Sequence, residues 1–335
     1  MAPQLGRKAR PPALAVDFKM ERNVRRSCDW SQITGRRSQV IMKNVIQMTE
    51  KLINVECFDC GADTPRVILP ESRSGRVVRC MRCGAIYVSP RKAGQFLTDA
   101  RMGDPPPEVP PDEKKWAKIN AAHRFNLLHR WNFVHDPGTL LDVGCWTGFF
   151  LKTAEKRGWK VKGLEPVDAA AQWGRINLGL DILTAVFEKA ELPNGNFDMV
   201  SLMHALEHLS DPNTALARVN RLLKPGGIIA LETPNADCLA ARILGRRWRQ
   251  FISRHVAFFT PVTIARLLKR HGFENVRVRR IGRTVPVRLI ADRIKRYYSR
   301  PLGNVLDRVF RITGLSNAGI RIDPGDIMFA AARKK

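Results

Sequence analysis

No stretch of this sequence approaches the roughly 18 consecutive apolar residues that a membrane-spanning helix needs, and the N-terminus lacks the apolar core of a secretory signal. The chain therefore reads as cytoplasmic, with any membrane contact peripheral, at the inner face. Acidic residues are scarce. Against 31 Asp and Glu stand 57 Lys and Arg, a formal charge of +26 on 335 residues, which suits an anionic substrate, a membrane surface or nucleic acid as a neighbour. The seven cysteines are an odd number, and in a reducing compartment paired spacing points to metal before disulfides. A wholly disordered chain is excluded, because 44% of residues are apolar and the length fits one large domain with a smaller companion.

The positive charge is concentrated at two places. Residues 1–41 hold nine Lys/Arg and three Asp/Glu without helical or strand periodicity, so residues 1–50 read as a basic disordered arm. An over-long start is the second reading, since Met42 and Met48 lie just ahead of the first ordered-looking segment. Asp17, Glu21 and Asp29 argue against a mitochondrial transit peptide. Residues 266–311 hold fourteen Lys/Arg against three Asp/Glu. There Ile290, Ile294, Tyr297 and Tyr298, then Leu302, Val305, Leu306, Val309 and Phe310, recur at helical spacing. The pattern predicts two basic amphipathic helices over 286–313. Their outer faces are either solvated sides of core-packed helices or a surface for an anionic membrane or substrate, with nucleic acid ranked below.

Cys57-Phe-Asp-Cys60-Gly and Cys80-Met-Arg-Cys83-Gly are two CxxCG units separated by nineteen residues. Each aims two thiolates at one point, and together they complete a tetrahedral shell with strand-like pieces between and after them. Residues 51–100 are thus a zinc ribbon in outline. A closed four-thiolate shell has no open position for water, so zinc there is structural.

Five prolines between Pro105 and Pro111 mark a linker over 101–112. From 113 to 335 a large domain follows, and between 139 and 281 short apolar runs alternate with helical patterns. Such alternation defines an α/β fold, a doubly wound, mostly parallel sheet whose ligand lies at the carboxyl ends of the strands. The first run leads into Asp142-Val-Gly144-Cys-Trp146-Thr-Gly148, and Glu165 ends the next, placed to accept hydrogen bonds from a ribose diol. This pattern indicates an adenosine ligand without separating a dinucleotide from S-adenosylmethionine.

LLDVGCWTGFFL, GLEP, FDMVSLMHALEHLSDP, LLKPGGIIALETPN and RHVAFFTPVTIARLLKRHGF, in this order, resemble the class I S-adenosylmethionine-dependent methyltransferases. The branch that includes ubiquinone-type O-methyltransferases is the nearest in pattern. The CxxCG pair is similar to zinc-ribbon-bearing bacterial members associated with polysaccharide and sugar modification. The resemblance covers roughly 55–335. It implies a Rossmann-like seven-stranded sheet, with S-adenosyl-L-methionine as cofactor and zinc in the ribbon. Carried over by position, Asp142, Gly144 and Gly148 lie along the methionine part of the cofactor, Glu165 holds the ribose, and Phe187 and Glu188 contact the adenine. Trp146 stands where the family has a small residue. It either crowds the cofactor or turns outward to shape the acceptor pocket, and the second reading is preferred because the other motifs are intact.

An oxygen or carbon nucleophile also needs a base, and histidine suits neutral pH. His204 and His208 flank Glu207 after the fourth strand, where the sulfonium belongs, and are read either as capping or structural residues or as substrate contacts or base. Their i, i+4 spacing also suits zinc, but no third ligand lies nearby in the sequence. His255 stands in a stretch similar to one in sugar C-methyltransferases, where a Glu-His pair acts on the substrate. Arg254 replaces that Glu, which puts proton abstraction in doubt but suits a phosphate-bearing acceptor. The expectation is methylation of a sugar, polysaccharide precursor or other small, even lipid-linked, acceptor at oxygen, with carbon ranked below. An RNA methyltransferase and an inactive binding protein on the same fold are the alternatives.

Overall fold

Strands whose successive residues are both apolar require cover on both faces, and four strands of the main sheet, 139–143, 197–203, 223–234 and 327–334, hold such runs. The computed structural model describes residues 52–72, 75–92, 111–252, 254–297 and 299–335. The basic arm and most of the proline-rich linker expected from the sequence lie outside these. The strands are β1 (Leu52–Ile53), β2 (Pro65–Ser72), β3 (Gly75–Cys80), β4 (Ile86–Lys92), β5 (Thr139–Val143), β6 (Lys160–Glu165), β7 (Ile182–Thr184), β8 (Phe197–Met203), β9 (Leu223–Pro234), β10 (Ala257–Phe258), β11 (Phe273–Arg280), β12 (Arg283–Pro286), β13 (Gly319–Ile322) and β14 (Ile327–Lys334). The helices are α1 (Pro111–Arg130), α2 (Phe149–Glu155), α3 (Asp168–Leu178), α4 (Pro212–Leu222), α5 (Leu239–Leu244), α6 (Pro261–Arg270), α7 (Val287–Tyr297) and α8 (Arg300–Ile312).

Seven strands form the main sheet in the order β11-β14-β9-β8-β5-β6-β7. β9, β8, β5, β6 and β7 run parallel, and β14 lies antiparallel to both β9 and β11. Alternate residues serve opposite faces. Leu141, Val200, Leu202 and Leu231 join the cluster with Leu216 and Val219 of α4 and Leu267 of α6. Leu140, Met199, Ala230 and Phe329 join the other, with Leu128 of α1 and Leu151 of α2. Because β5 pairs with β6 on one side and β8 on the other, the order in which the chain adds strands to the sheet reverses there. A crevice therefore opens at the carboxyl ends of these three strands.

The cysteine-rich segment forms a second sheet in the order β1-β4-β3-β2. That sheet is completed by the main domain. β10 pairs antiparallel with β4, matching Ala257 with Tyr87 and Phe258 with Ile86, and the Val88 amide donates to the Val256 carbonyl at 3.0 Å. Asp59, 2% exposed, accepts from Arg266 at 2.5 Å and from Arg270 at 3.2 Å. The Phe58 ring meets Phe259 edge-on, with centroids 5.4 Å apart, so one apolar cluster runs from the ribbon into one face of the main sheet.

α7 and α8 fall within the span that the periodicity marks. α8, however, does not bury its apolar side: Leu302, Val305, Val309 and Ile312 are between 46% and 77% exposed. Only Gly303 is buried on α8, where its backbone lies against Lys295 of α7. The core-packed reading of both helices therefore fails for α8, because the pair packs on itself rather than flat on the sheet.

Candidate active site

The loop after β5 approaches the ligand crevice with its backbone. Gly144 adopts φ 72°, and a Cβ there would lie 3.0 Å from that of Ala205. At Gly148, φ is 83° and a Cβ would meet Leu180 at 2.4 Å, so α2 can start only from glycine. The amides of Gly144 and Cys145 donate to the Leu164 carbonyl at 2.8 and 3.1 Å, tying the loop to β6. Glu165, at the end of β6, accepts from the Trp146 amide at 2.8 Å on one oxygen and the Val167 amide at 2.9 Å on the other. Each oxygen keeps a lone pair. Burial raises the Glu165 carboxyl above its usual range, and these two amides oppose the rise.

The resulting cleft has a volume of about 310 Å³ and is lined by Gly144, Trp146, Glu165, Phe187, Glu188, Met203, His204, His208 and Arg254, among others. This is within the roughly 300–1,000 Å³ of small-molecule sites. Glu188 has one oxygen occupied by the Ser210 hydroxyl at 3.1 Å, while its Oε2 is buried without a partner. An exocyclic amine would satisfy it. That orphaned acceptor, the Glu165 carboxylate and the apolar Phe187, residues of one cleft, fit an adenosine ligand. Trp146 sits at the rim, 47% exposed, and leaves the cleft open. Its backbone, at φ 51°, performs the task that a glycine would.

Asp142 and Gly148 do not line the cleft. Asp142 is 1% exposed and accepts from the Ser201 hydroxyl at 2.6 Å, joining β5 to β8. Burial, reinforced by the Glu165 charge, pushes its carboxyl up to about 7.

Beyond β8 the imidazoles gather around Glu207. His204, held at φ 57°, places Nε2 2.9 Å from Glu232 and Nδ1 3.4 Å from Glu207. Burial disfavours its protonation, but Glu232 and Glu207 outweigh this and push its pKa up to about 9. The two carboxylates thus favour the protonated form of His204, which makes it a poor choice of base. Burial alone would raise Glu207; His204, with His208 and His255 nearby, instead lowers it to about 2. The other Glu207 oxygen accepts from the Thr233 hydroxyl at 2.9 Å. His255 is 4% exposed, and burial pulls its pKa down to about 4. Its Nδ1 lies 2.9 Å from the Gln250 carbonyl, and the Nδ1 of His208 lies 3.0 Å from the Arg254 carbonyl. A carbonyl only accepts, so both rings carry hydrogen on Nδ1, and His255, held neutral by burial, leaves its Nε2 bare.

These values set opposite pH limits. The His204 contribution to stability is complete below its unfolded value near 6.5 and is lost as pH rises through about 9. The neutral His255 contributes above 6.5 and is lost as pH falls through about 4. Urea midpoints followed across both windows should decline at each end. His204→Asn should remove the alkaline decline and leave the acidic one, and an unchanged alkaline limb would refute the assignment.

Sequence reading missed the support of His204. Arg124 of α1 donates to Glu232 through Nε at 2.7 Å and Nη2 at 3.0 Å, and Arg283 approaches the same carboxylate at 3.6 Å. No local motif links positions 124, 232 and 283; the one available signal was an Arg on the apolar side of α1.

In the ribbon, Cys57 and Cys83 have their sulfurs 3.4 Å apart and Cys60 and Cys80 3.5 Å apart. Sulfurs around tetrahedral zinc, bound at about 2.3 Å, lie roughly 3.8 Å from one another. The donor set and spacing therefore fit a structural metal.

A parallel sheet whose strand order reverses at its centre, with a carboxylate-bearing cleft at that point, has the layout of a nucleotide-type α/β domain. Residues 117–278 match the family model of the methyltransferase domain. The chain is 35% identical over 106 residues to the ubiquinone biosynthesis O-methyltransferase of Pseudomonas paraeruginosa, covering 30% of this chain and 45% of that protein. It is 32% identical over 131 residues to the malonyl-[acyl-carrier protein] O-methyltransferase of Serratia marcescens, covering 38% and 51%. The chain spans about half the length of the curated relatives it matches. Among solved structures, it is similar to a SAM-dependent methyltransferase of Thermotoga maritima described as a possible histamine N-methyltransferase. That match has 19% identity and a TM-score of 0.46 over 66% of this chain and 91% of that one. The chain carries a class I S-adenosylmethionine-dependent methyltransferase domain related to the ubiquinone-type enzymes.

Proposed function

We propose that the protein transfers a methyl group from S-adenosylmethionine to an oxygen of a small acceptor, a sugar or polysaccharide precursor. The observation that carries the donor half is the pair of carboxylates in one cleft: Glu165, each oxygen fixed by an amide, and Glu188, with one buried oxygen unpartnered. In this reading Glu165 holds the ribose diol, Glu188 the adenine amine, Phe187 the ring face, and Gly144 with the Trp146 backbone the methionine arm. Asp142 and Gly148 shape the loop from behind. When bound, the sulfonium supplies an already activated methyl, so the protein's work is alignment, which is worth roughly 7–11 kcal/mol when complete.

On the acceptor side, the Nε2 of His208, which lines the cleft with the His255 ring packed against it, is the group placed to take a hydroxyl proton. His204, with its protonated form favoured, fixes the turn between Glu207 and Glu232. Arg254 lines the same cleft and suits a phosphate-bearing or lipid-linked acceptor. The four thiolates hold structural zinc. Among the described residues no helix is long and apolar enough to cross a membrane. The exposed apolar stripe of α8, on a strongly basic segment, supports peripheral contact with an anionic membrane, consistent with a cytoplasmic enzyme at its inner face.

Calorimetry tests the donor half. Glu165→Ala should weaken S-adenosylmethionine binding by roughly 1–3 kcal/mol, the scale of a lost charge-assisted hydrogen bond. Unchanged affinity would show that the ribose lies elsewhere. For the acceptor, methyl label should enter the polysaccharide or lipid fraction of an extract; label confined to RNA would overturn the sugar reading.

A further inference from the structure

A second cavity, of about 300 Å³, shares Met203 and His204 with the donor cleft. Its other walls are α1, the start of α2, the end of β9 and Arg283 at the start of β12. Side-chain bonds from α1 hold this arrangement together. Asn120 pins the residue after Arg283, since its Oδ1 accepts from the Thr284 amide at 2.8 Å and its Nδ2 donates to the Thr284 carbonyl at 2.9 Å. One turn further along α1, Arg124 grips Glu232 of β9 with two bonds.

The polar groups of this wall are committed, with one exception. Asn120 spends both ends of its amide on Thr284. Glu232 accepts two bonds from Arg124 and one from the Nε2 of His204. Arg283 is placed differently. Its Nη2 lies 2.9 Å from that same Nε2 and 3.6 Å from Glu232, beyond hydrogen-bond distance, and no described group accepts from its Nε or Nη1. With His204 protonated, the imidazole is itself a donor, so Arg283 has no hydrogen-bonded counter-charge. Its side chain is 26% exposed. Burial, aided by the Arg124 and Arg249 charges, pulls its guanidinium below the usual value, which Glu232 and Asp326 only partly oppose. Two permanent cations, Arg124 and Arg283, thus line the cavity with a single carboxylate between them, and the planar fork of the second matches an incoming oxyanion.

We infer that this second cavity holds the acceptor by an oxyanion, a carboxylate or a phosphate monoester, bound to the unused donors of Arg283, so that the enzyme selects acidic acceptors over their neutral counterparts. The volume is at the low end of the roughly 300–1,000 Å³ of small-molecule pockets, which suits a single sugar ring rather than a chain. Phe149 and Phe150 line the cavity and give the C–H face of such a ring an apolar surface. Because Met203 and His204 belong to both cavities, an acceptor anchored at Arg283 lies beside the donor. Arg254 lines the donor cleft but not this cavity, so the two arginines are separate anchors. Oxyanion binding rests on the cavity and its charges alone; its assignment to the acceptor rests on the methyl-transfer reading above.

The test is calorimetry on the full chain with its thiolate site filled by zinc, titrated with glucuronate, with glucose 6-phosphate and with glucose as the neutral control. At least one of the two acids is expected to bind about tenfold or more tightly than glucose, the scale of a charge-assisted hydrogen bond, and the acid preferred identifies the oxyanion. Arg283→Gln should lose that preference, and Arg283→Lys, which keeps the charge without the fork, should regain part of it. S-adenosylmethionine affinity in Arg283→Gln should match the wild type, which a general loss of structure would not allow. Ala117→Phe fills the cavity from α1 without touching its charges, should also abolish the preference, and remains informative where Arg283→Gln fails to fold by circular dichroism. Neither acid binding better than glucose, or an undiminished preference in folded Arg283→Gln or Ala117→Phe, overturns the inference. Donor affinity on the same samples separates the claims: donor binding without any acid preference refutes the Arg283 site alone, and an Arg283-dependent preference without donor binding refutes methyl transfer alone.

Discussion

Removing the ribbon metal with a chelator, or replacing Cys80 by Ser, is expected to abolish acceptor turnover while donor affinity stays within about threefold, as for a distant, weakly coupled site. Structural zinc contributes about 10–16 kcal/mol in small thiolate domains, and that energy is folding energy. The ribbon sheet is too small to persist without it. Losing the ribbon releases β10, whose only strand partner among the described residues is β4. Arg254, His255 and Val256 precede β10 directly, and Arg254 and Val256 line the cleft. The groups proposed to bind the donor, by contrast, sit in the loop after β5, on β6 and in the turn after β7, which the ribbon does not pair with. Donor calorimetry and turnover on the same metal-free sample check this split. Equal loss of both would show that the ribbon supports the whole fold, and loss of neither would separate it from the site.

The groups proposed to hold the donor could be picked out in the sequence because they are local, although Asp142 and Gly148 among them do not line the cleft. A strand, a glycine bend, a helix and an acid at the end of the next strand are each set by nearest-neighbour chemistry, and the four cysteines announce themselves by spacing. The acceptor half could not be. His204 and His208 read as a pair with i, i+4 spacing, yet the structure gives them different partners. His204 faces Glu232, brought alongside by the pairing of β8 with β9, whereas His208 meets His255, carried in by the segment that leads to the ribbon. A protonation state depends on which carboxylates converge, and convergence is a property of the sheet order rather than of any window of residues. The same limit applies to α8: its period was correct, but periodicity does not say whether an apolar side has anything to pack on.

Replacing Arg124 by Met is expected to cost about 3 kcal/mol in urea denaturation, near the low end for breaking a buried ion pair. Arg124 and Glu232 are 6% and 7% exposed in their side chains, so the variant leaves a carboxylate that burial penalises and that has lost its two-pronged partner. His204 and Arg283 remain beside Glu232, which keeps the loss from reaching the upper end of that range. Adding Glu232→Leu should restore most of the stability, because the stranded charge is then gone and an apolar side chain fills its place. Without Glu232, His204 loses its strongest carboxylate neighbour and its pKa falls, and Arg283, 2.9 Å from Nε2, can donate to the neutral ring. Turnover should not return with stability, since His204 is then no longer fixed between two carboxylates at the mouth of the cleft. A double variant as unstable as the single one would mean that the hydrogen-bond geometry around Glu232, rather than its unpaired charge, holds α1 against the sheet.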